Sequence, residues 1–242
     1  MFRPLFWFHA CTIAVFSPLL AEDRRIDNNF NGWVQYFGDH PLGTAKWGVH
    51  LEAQWRRHDG YARWQQLLLR PGVNYSVNNK LMLTAGYAFI RSYQYGDFPA
   101  PARTNEHRIW EQALLRYGPR KASWSTRLRF ENRLLGTYDA ATQTRSWRFE
   151  NRFRALQQIR VPITSATYFT AYDEIWFYVK PYRSASVLDQ NRAYAALGYS
   201  LAPNWRVEVG YMNQAIWQRS GLALESNNTL MFVIISTAPF GK

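Results

Sequence analysis

Along most of the chain apolar and polar residues alternate with a period of two. In Ala45–Arg57 one face reads Ala45, Trp47, Val49, Leu51, Ala53, Trp55, and the other Lys46, Gly48, His50, Glu52, Gln54, Arg56. In Ala122–Leu134 an apolar face built on Trp124, Leu128 and Phe130 backs a polar one of Ser123, Ser125, Arg127, Arg129, Glu131 and Arg133. In Trp147–Val161 the apolar face holds Trp147, Phe149, Phe153, Ala155, Ile159 and Val161, and the polar one Arg148, Glu150, Arg152, Arg154, Gln158 and Arg160. Each segment is a strand with one face for oil and one for water. Ordinary strands average about five or six residues. These run to a dozen or more, the length a tilted strand needs to cross a bilayer with some overhang. Further strands are predicted at Gln65–Val77, Lys80–Tyr93, His107–Tyr117, Thr167–Val179, Arg192–Leu201, Trp205–Trp217 and Asn228–Thr237, with a weaker one at Phe30–Phe37.

The connections alternate in length. Short turns at Asn78-Asn79, Gly118-Pro119-Arg120, Pro162-Ile163-Thr164 and Ala202-Pro203-Asn204 alternate with longer loops at Gly96–Thr104, Gly136–Arg145, Pro181–Asp189 and Ser220–Asn227. The pattern predicts an all-β fold: an antiparallel transmembrane β-barrel of ten to twelve strands with short periplasmic turns and longer outer loops. Bacterial single-chain barrels use even strand numbers. Either Phe30–Phe37 therefore stands outside the wall, or another strand lies near the N-terminus.

Composition sharpens this picture. Apolar residues make up 47% of the 242, which excludes disorder, and the mean hydropathy of −0.39 excludes a helical membrane protein. Aromatic content is 17%, roughly double an ordinary globular composition. A soluble barrel or sandwich would turn the same apolar faces inward. Trp47 and Trp55 at opposite ends of one apolar face instead suit the two aromatic girdles of a membrane barrel. The N-terminus reads as a secretory signal: apolar Leu5–Phe16, a small residue at Ala21, then charged Glu22-Asp23-Arg24-Arg25. Residues 1–21 are the expected signal peptide and 22–242 the barrel. The one cysteine, Cys11, falls in the signal, so no disulfide or cysteine metal site is expected in the mature chain.

Several segments taken together carry a resemblance. They are Arg70-Pro71-Gly72-Val73-Asn74-Tyr75, Asn105-Glu106-His107-Arg108-Ile109-Trp110-Glu111-Gln112, Asp173-Glu174 with Trp176-Phe177, Gln190-Asn191-Arg192-Ala193-Tyr194 leading to Leu197-Gly198-Tyr199, and Gly210–Gln214. In this order they resemble an uncharacterised, domain-of-unknown-function family of bacterial outer-membrane β-barrels, over about Trp33 to Phe240. The resemblance implies a Gram-negative outer-membrane location, with outer-membrane lipid and the barrel assembly machinery as partners. Such barrels commonly end in an aromatic residue that the machinery reads; here Phe240 is followed by Gly241-Lys242.

The candidate chemistry is an interior charge network. Arg127, Arg129, Arg133, Arg148, Arg152, Arg154 and Arg160 face the lumen from two neighbouring strands, with Glu131 and Glu150 among them. Such a track could guide anions, because low-dielectric walls focus the field. It could equally fill a narrow barrel with salt bridges. Joined as a hairpin, the two strands satisfy both acids when Glu131 faces Arg152 and Arg133 faces Glu150, which leaves Arg129 beside Arg154 as an uncompensated positive pair open to an anion. Glu106, His107, Arg108 and Glu111 form a second polar cluster, conceivable as an acid/base pair or as a strand-end hydrogen-bond group. The mature chain's histidines, His40, His50, His58 and His107, have no paired metal spacing. No His-x-Ser, G-x-S-x-G, phosphate loop or dinucleotide fingerprint occurs, and His58-Asp59 is a lone adjacent pair. No catalytic residue, metal or cofactor is assigned. The formal charge of +12 suits outer-leaflet lipopolysaccharide rather than nucleic acid, because the basic residues alternate with apolar ones along strands. Three readings follow: a non-catalytic barrel, a narrow anion channel for acidic oligosaccharides or similar solutes, and a barrel enzyme acting on lipid or peptide.

Overall fold

The computed structural model describes residues 25–96, 103–119, 121–139, 142–179, 186–219 and 221–241, without the Asp139 side chain. The expected signal segment, residues 1–21, lies outside the described residues. The described chain is all-β, with eleven strands: β1 Arg25–Pro41, β2 Trp47–His58, β3 Arg63–Ser76, β4 Leu81–Ser92, β5 Thr104–Tyr117, β6 Ser123–Asp139, β7 Thr144–Pro162, β8 Thr167–Tyr178, β9 Leu188–Ala202, β10 Trp205–Trp217 and β11 Ala223–Ser236. Consecutive strands pair antiparallel and the sheet closes into a barrel.

The closure differs from the antiparallel, even-numbered expectation. β1 lies parallel to β11 in a register running from Arg25↔Ala223 to Gly38↔Ser236. With both strands running toward the same end, an odd number closes without an unpaired edge. The weak first strand is therefore part of the wall, and longer than its alternation suggested. The reason is visible on its faces: Trp33 points inward while Gly32 and Gly38 point outward, so polarity and direction no longer coincide.

At one end the connections span residues 42–46, 77–80, 118–122, 163–166 and 203–204; at the other, 59–62, 93–103, 140–143, 179–187 and 218–222. The expected long loop at 136–145 shortens to the connection 140–143, because β6 and β7 stay paired as far as Asp139↔Thr144. The asymmetry rests on 93–103 and 179–187.

The outer surface is apolar. Val49, Leu51, Val73, Leu128, Leu197, Val209 and Leu230 form its middle band. Trp47 and Tyr75 pack at 4.8 Å near the short turns, and Trp55 and Trp64 at 6.0 Å near the long-loop end. Aromatic rings therefore flank the band on both sides, as amphipathic rings do at the two surfaces of a bilayer. Glycines on the inner wall seat the largest interior ring. A Cβ on Gly86 would approach the Trp110 indole to 2.9 Å and one on Gly72 to 3.1 Å, so both positions must be bare for that ring to lie against the wall.

Candidate functional site

The interior of β2–β8 is ionic. Alternation turns Glu52 and Arg56 of β2, Arg70 of β3, Glu106 and Arg108 of β5, Arg129, Glu131 and Arg133 of β6, Glu150, Arg152 and Arg154 of β7, and Glu174 of β8 toward the axis. Glu131 is its hub. One carboxylate oxygen accepts from Arg152 at 2.6 Å and Arg108 at 3.3 Å. The other accepts from Arg154 at 2.7 Å and lies 3.7 Å from Arg70. Arg154 also reaches Glu174 at 2.8 Å, Arg152 reaches Asp189 at 2.8 Å, and Arg70 reaches Glu52 at 2.6 Å. Toward the long-loop end Glu106 binds Arg133 at 2.5 Å and also pairs with Arg108, while Glu150 gathers Arg133, Arg148 and Arg219. Such charge-assisted, often two-pronged bonds are the strongest hydrogen bonds proteins form.

The β6–β7 register sets Glu131 opposite Arg152 and Arg133 opposite Glu150, with Arg129 opposite Arg154. That last pair is not left over, as charge counting along two strands alone required. β8, not included in that count, supplies Glu174 to Arg154. Arg129 instead donates to the neutral Gln112 oxygen, at 3.0 and 2.6 Å, and lies 4.7 Å over the Trp110 ring. Its Nη1 is buried with no hydrogen-bond partner.

Two further arginines are held the same way. Arg56 takes Gln54 and Gln66 and lies 3.9 Å over Trp33. Arg192 lies 4.1 Å over Trp176 and, with the Gln214 amide oxygen turned toward it, is bonded at 3.0 Å. Among the described residues none of these three has a carboxylate within ion-pair distance. Amide oxygens and indole faces stabilise a guanidinium without cancelling its charge, so these three sites stay locally positive.

Of the other sequence candidates, Arg127 reaches Glu174 at 2.7 Å and Arg148 sits half-exposed on Glu150. Arg160 stays apart, 4.9 Å over Tyr168 near the short turns. The second cluster divides. Glu106 and Arg108 join the lumen network, whereas His107 faces outward against Tyr87, 2.5 Å from its hydroxyl, and Glu111 also lies outside. The four do not form one site. Sequence reasoning missed Glu52, Arg56, Arg70, Glu174, Asp189 and Arg192 as members of the core, together with their tryptophans. Arg70, Glu174 and Arg192 each sit in a quoted motif, which was the available signal.

A family model described as "Protein of unknown function (DUF2490)" matches residues 30–225. The chain belongs to the DUF2490 family. Among curated proteins nothing matches. Of solved structures, the DUF2490 chain is similar to one titled "NanC porin structure in rhombohedral crystal form", at 12% identity and a TM-score of 0.50, covering 81% of this chain and 92% of that one. Another match is "Outer-membrane expressed OmpT of Vibrio cholerae", at 12% identity and a TM-score of 0.38, covering 77% of this chain and 57% of that one. At such identity the porin likeness establishes the barrel fold and nothing finer.

Proposed function

We propose that this DUF2490 protein is a non-catalytic outer-membrane barrel of a Gram-negative bacterium, exported by its N-terminal signal and closed by its own salt-bridged core. The observation that carries the reading is burial across the middle of the lumen: Glu131 is 0% exposed, Arg152 1% and Arg129 2%. Side chains lining an open aqueous bore would be wetted. Here they occupy it, as side chains fill small barrels generally. The apolar band and its two aromatic flanks support the membrane setting, and the porin-like neighbour supports the architecture.

A second reading, a narrow anion pathway, is favoured by one observation: among the described residues Arg56, Arg129 and Arg192 are buried without an ion-paired carboxylate. A low-dielectric wall would focus that field on a passing anion. Planar-bilayer recording separates the two. The plugged reading expects no steady conductance from the full-length protein. Steady conductance that is anion-selective, and less so in R129Q, would replace it with the channel.

A further inference from the structure

The outer surface carries a second concentration of unpaired positive charge, at the long-loop end of β4–β7. Cross-strand register aligns Arg91, Asn105, Gly136 and Trp147 on the outward face of four neighbouring strands. One step nearer the loops on the same face come Arg103, Tyr138 and Arg145, with Tyr138 directly opposite Arg145. Arg103, Asn105, Gly136, Tyr138 and Arg145 enclose a recess of about 290 Å³. Gly136 is what opens it: a Cβ there would meet the Trp147 indole at 2.7 Å, so only a bare position lets that ring lie down and form the lower lip.

Among the described residues the charges around this recess form no ion pair. Arg91 donates Nε to the Asn105 oxygen at 3.1 Å, and the Arg145 guanidinium lies 5.8 Å from the centre of the Trp147 ring. Among the described residues no ion pair includes Arg91, Arg103 or Arg145. Three guanidiniums on one outward face, none ion-paired among the described residues, form a site for an anion with several acceptor oxygens. Their depth narrows the choice. They sit at and just beyond Trp147, and aromatic rings mark the boundary of the hydrocarbon, so the ligand lies at headgroup level.

We propose that the recess binds the phosphate of an anionic membrane lipid in the leaflet at the long-loop end. Arg103 and Arg145 clasp the phosphate oxygens, Asn105 and the Tyr138 hydroxyl stand within the same recess, and the acyl chains run down over Trp147. The assignment rests on the outer-membrane reading above. Inorganic phosphate shares the chemistry, so the test must separate the two sources.

Full-length wild type and R103Q/R145Q are reconstituted into vesicles and then measured by native mass spectrometry with bis-phosphorylated lipid A, dephosphorylated lipid A, or inorganic phosphate. The wild type should retain the phosphorylated lipid, and the variant should bind it about tenfold or more weaker, because two charge-assisted contacts are lost. Equal retention by the variant, or equal retention of the dephosphorylated lipid, overturns the site. Inorganic phosphate that displaces the lipid at comparable concentration overturns the lipid assignment. Should the double variant not fold, R145Q alone is read the same way. Protein that does not insert into vesicles at all refutes the membrane reading instead, whereas inserted protein with unchanged lipid retention refutes only this site.

Discussion

The two halves of the lumen are filled by different physics. From β2 to β8 the interior is mainly ionic and centred on Glu131, with one small apolar cluster of Leu68, Ala88, Ile90 and Trp110. From β9 through β11 to β1 the largest cluster is oily: Trp33, Tyr194, Ala196, Met212, Met231 and Val233 pack together, with Phe37, Tyr172 and Ile235 against them, while polar Asn31, Gln35, Arg192, Glu208 and Gln214 are buried on the same strands. Both clusters are buried, but they place different demands on the sequence. Apolar packing needs volume and shape, and tolerates exchange of similar side chains. A buried ion pair needs each partner, because a charge left alone in a dry interior is expensive. The ionic half also fixes alignment. A two-residue slip between β6 and β7 would set Glu131 against Glu150 and Arg129 against Arg152, which like-charge repulsion forbids.

The largest effect should come from a same-size swap at the ionic hub. Glu131→Gln removes the charge that Arg70, Arg108, Arg152 and Arg154 share and leaves the guanidiniums facing a neutral amide. The expected loss is about 3–5 kcal/mol, measured by reversible urea unfolding in lipid vesicles. A loss below about 1 kcal/mol would mean that the network is hydrated and the contrast between the halves is false.

The matching swap on the oily side is Met212→Leu. Met212 is fully buried in the β9–β1 cluster, and a volume-conserving exchange there should cost under about 1.5 kcal/mol in the same assay. A cost equal to that of Glu131→Gln would show that shape, rather than charge, decides stability on both sides.

The same division explains how much could be read from the sequence. On β2, β6 and β7 inward residues are charged and outward ones apolar, so the two-residue period is plain and gives both strand and face. On β11 it fades: Leu230, Phe232 and Ile234 face out while Met231, Val233 and Ile235 face in, and both sets are apolar. β1 is harder still, with Trp33 and Phe37 inside and glycines outside. The parallel seam joins these two least legible strands, and alternation carries no information about strand direction. The pairing of β6 with β7 was accessible because its charges admit one register. The true partners of Arg129 and Arg154 were not, because Gln112 and Glu174 come from the flanking strands β5 and β8, outside the two-strand charge count. Both residues nevertheless lie within or beside quoted motifs, so those motifs marked the core before its geometry was known.

The smallest effect tests where the ionic half ends. Arg148 lies on the same strand as Arg152 and binds the same kind of carboxylate, Glu150, at 2.5 Å. Chemistry alone would rank the two residues together. Their surroundings differ, since the Arg148 side chain is 55% exposed against 2% for Arg152. Water solvates its guanidinium with or without Glu150, salt screens the attraction, and holding a long side chain in one place costs entropy. Glu150 also keeps Arg133 and Arg219 when Arg148 is gone. Arg148→Gln should therefore change stability by less than about 1 kcal/mol, and by still less at high salt. A loss approaching that of Glu131→Gln would place Arg148 inside the closed core and extend the ionic plug to the rim. A negligible, salt-sensitive change would put the boundary between plug and vestibule at Glu150.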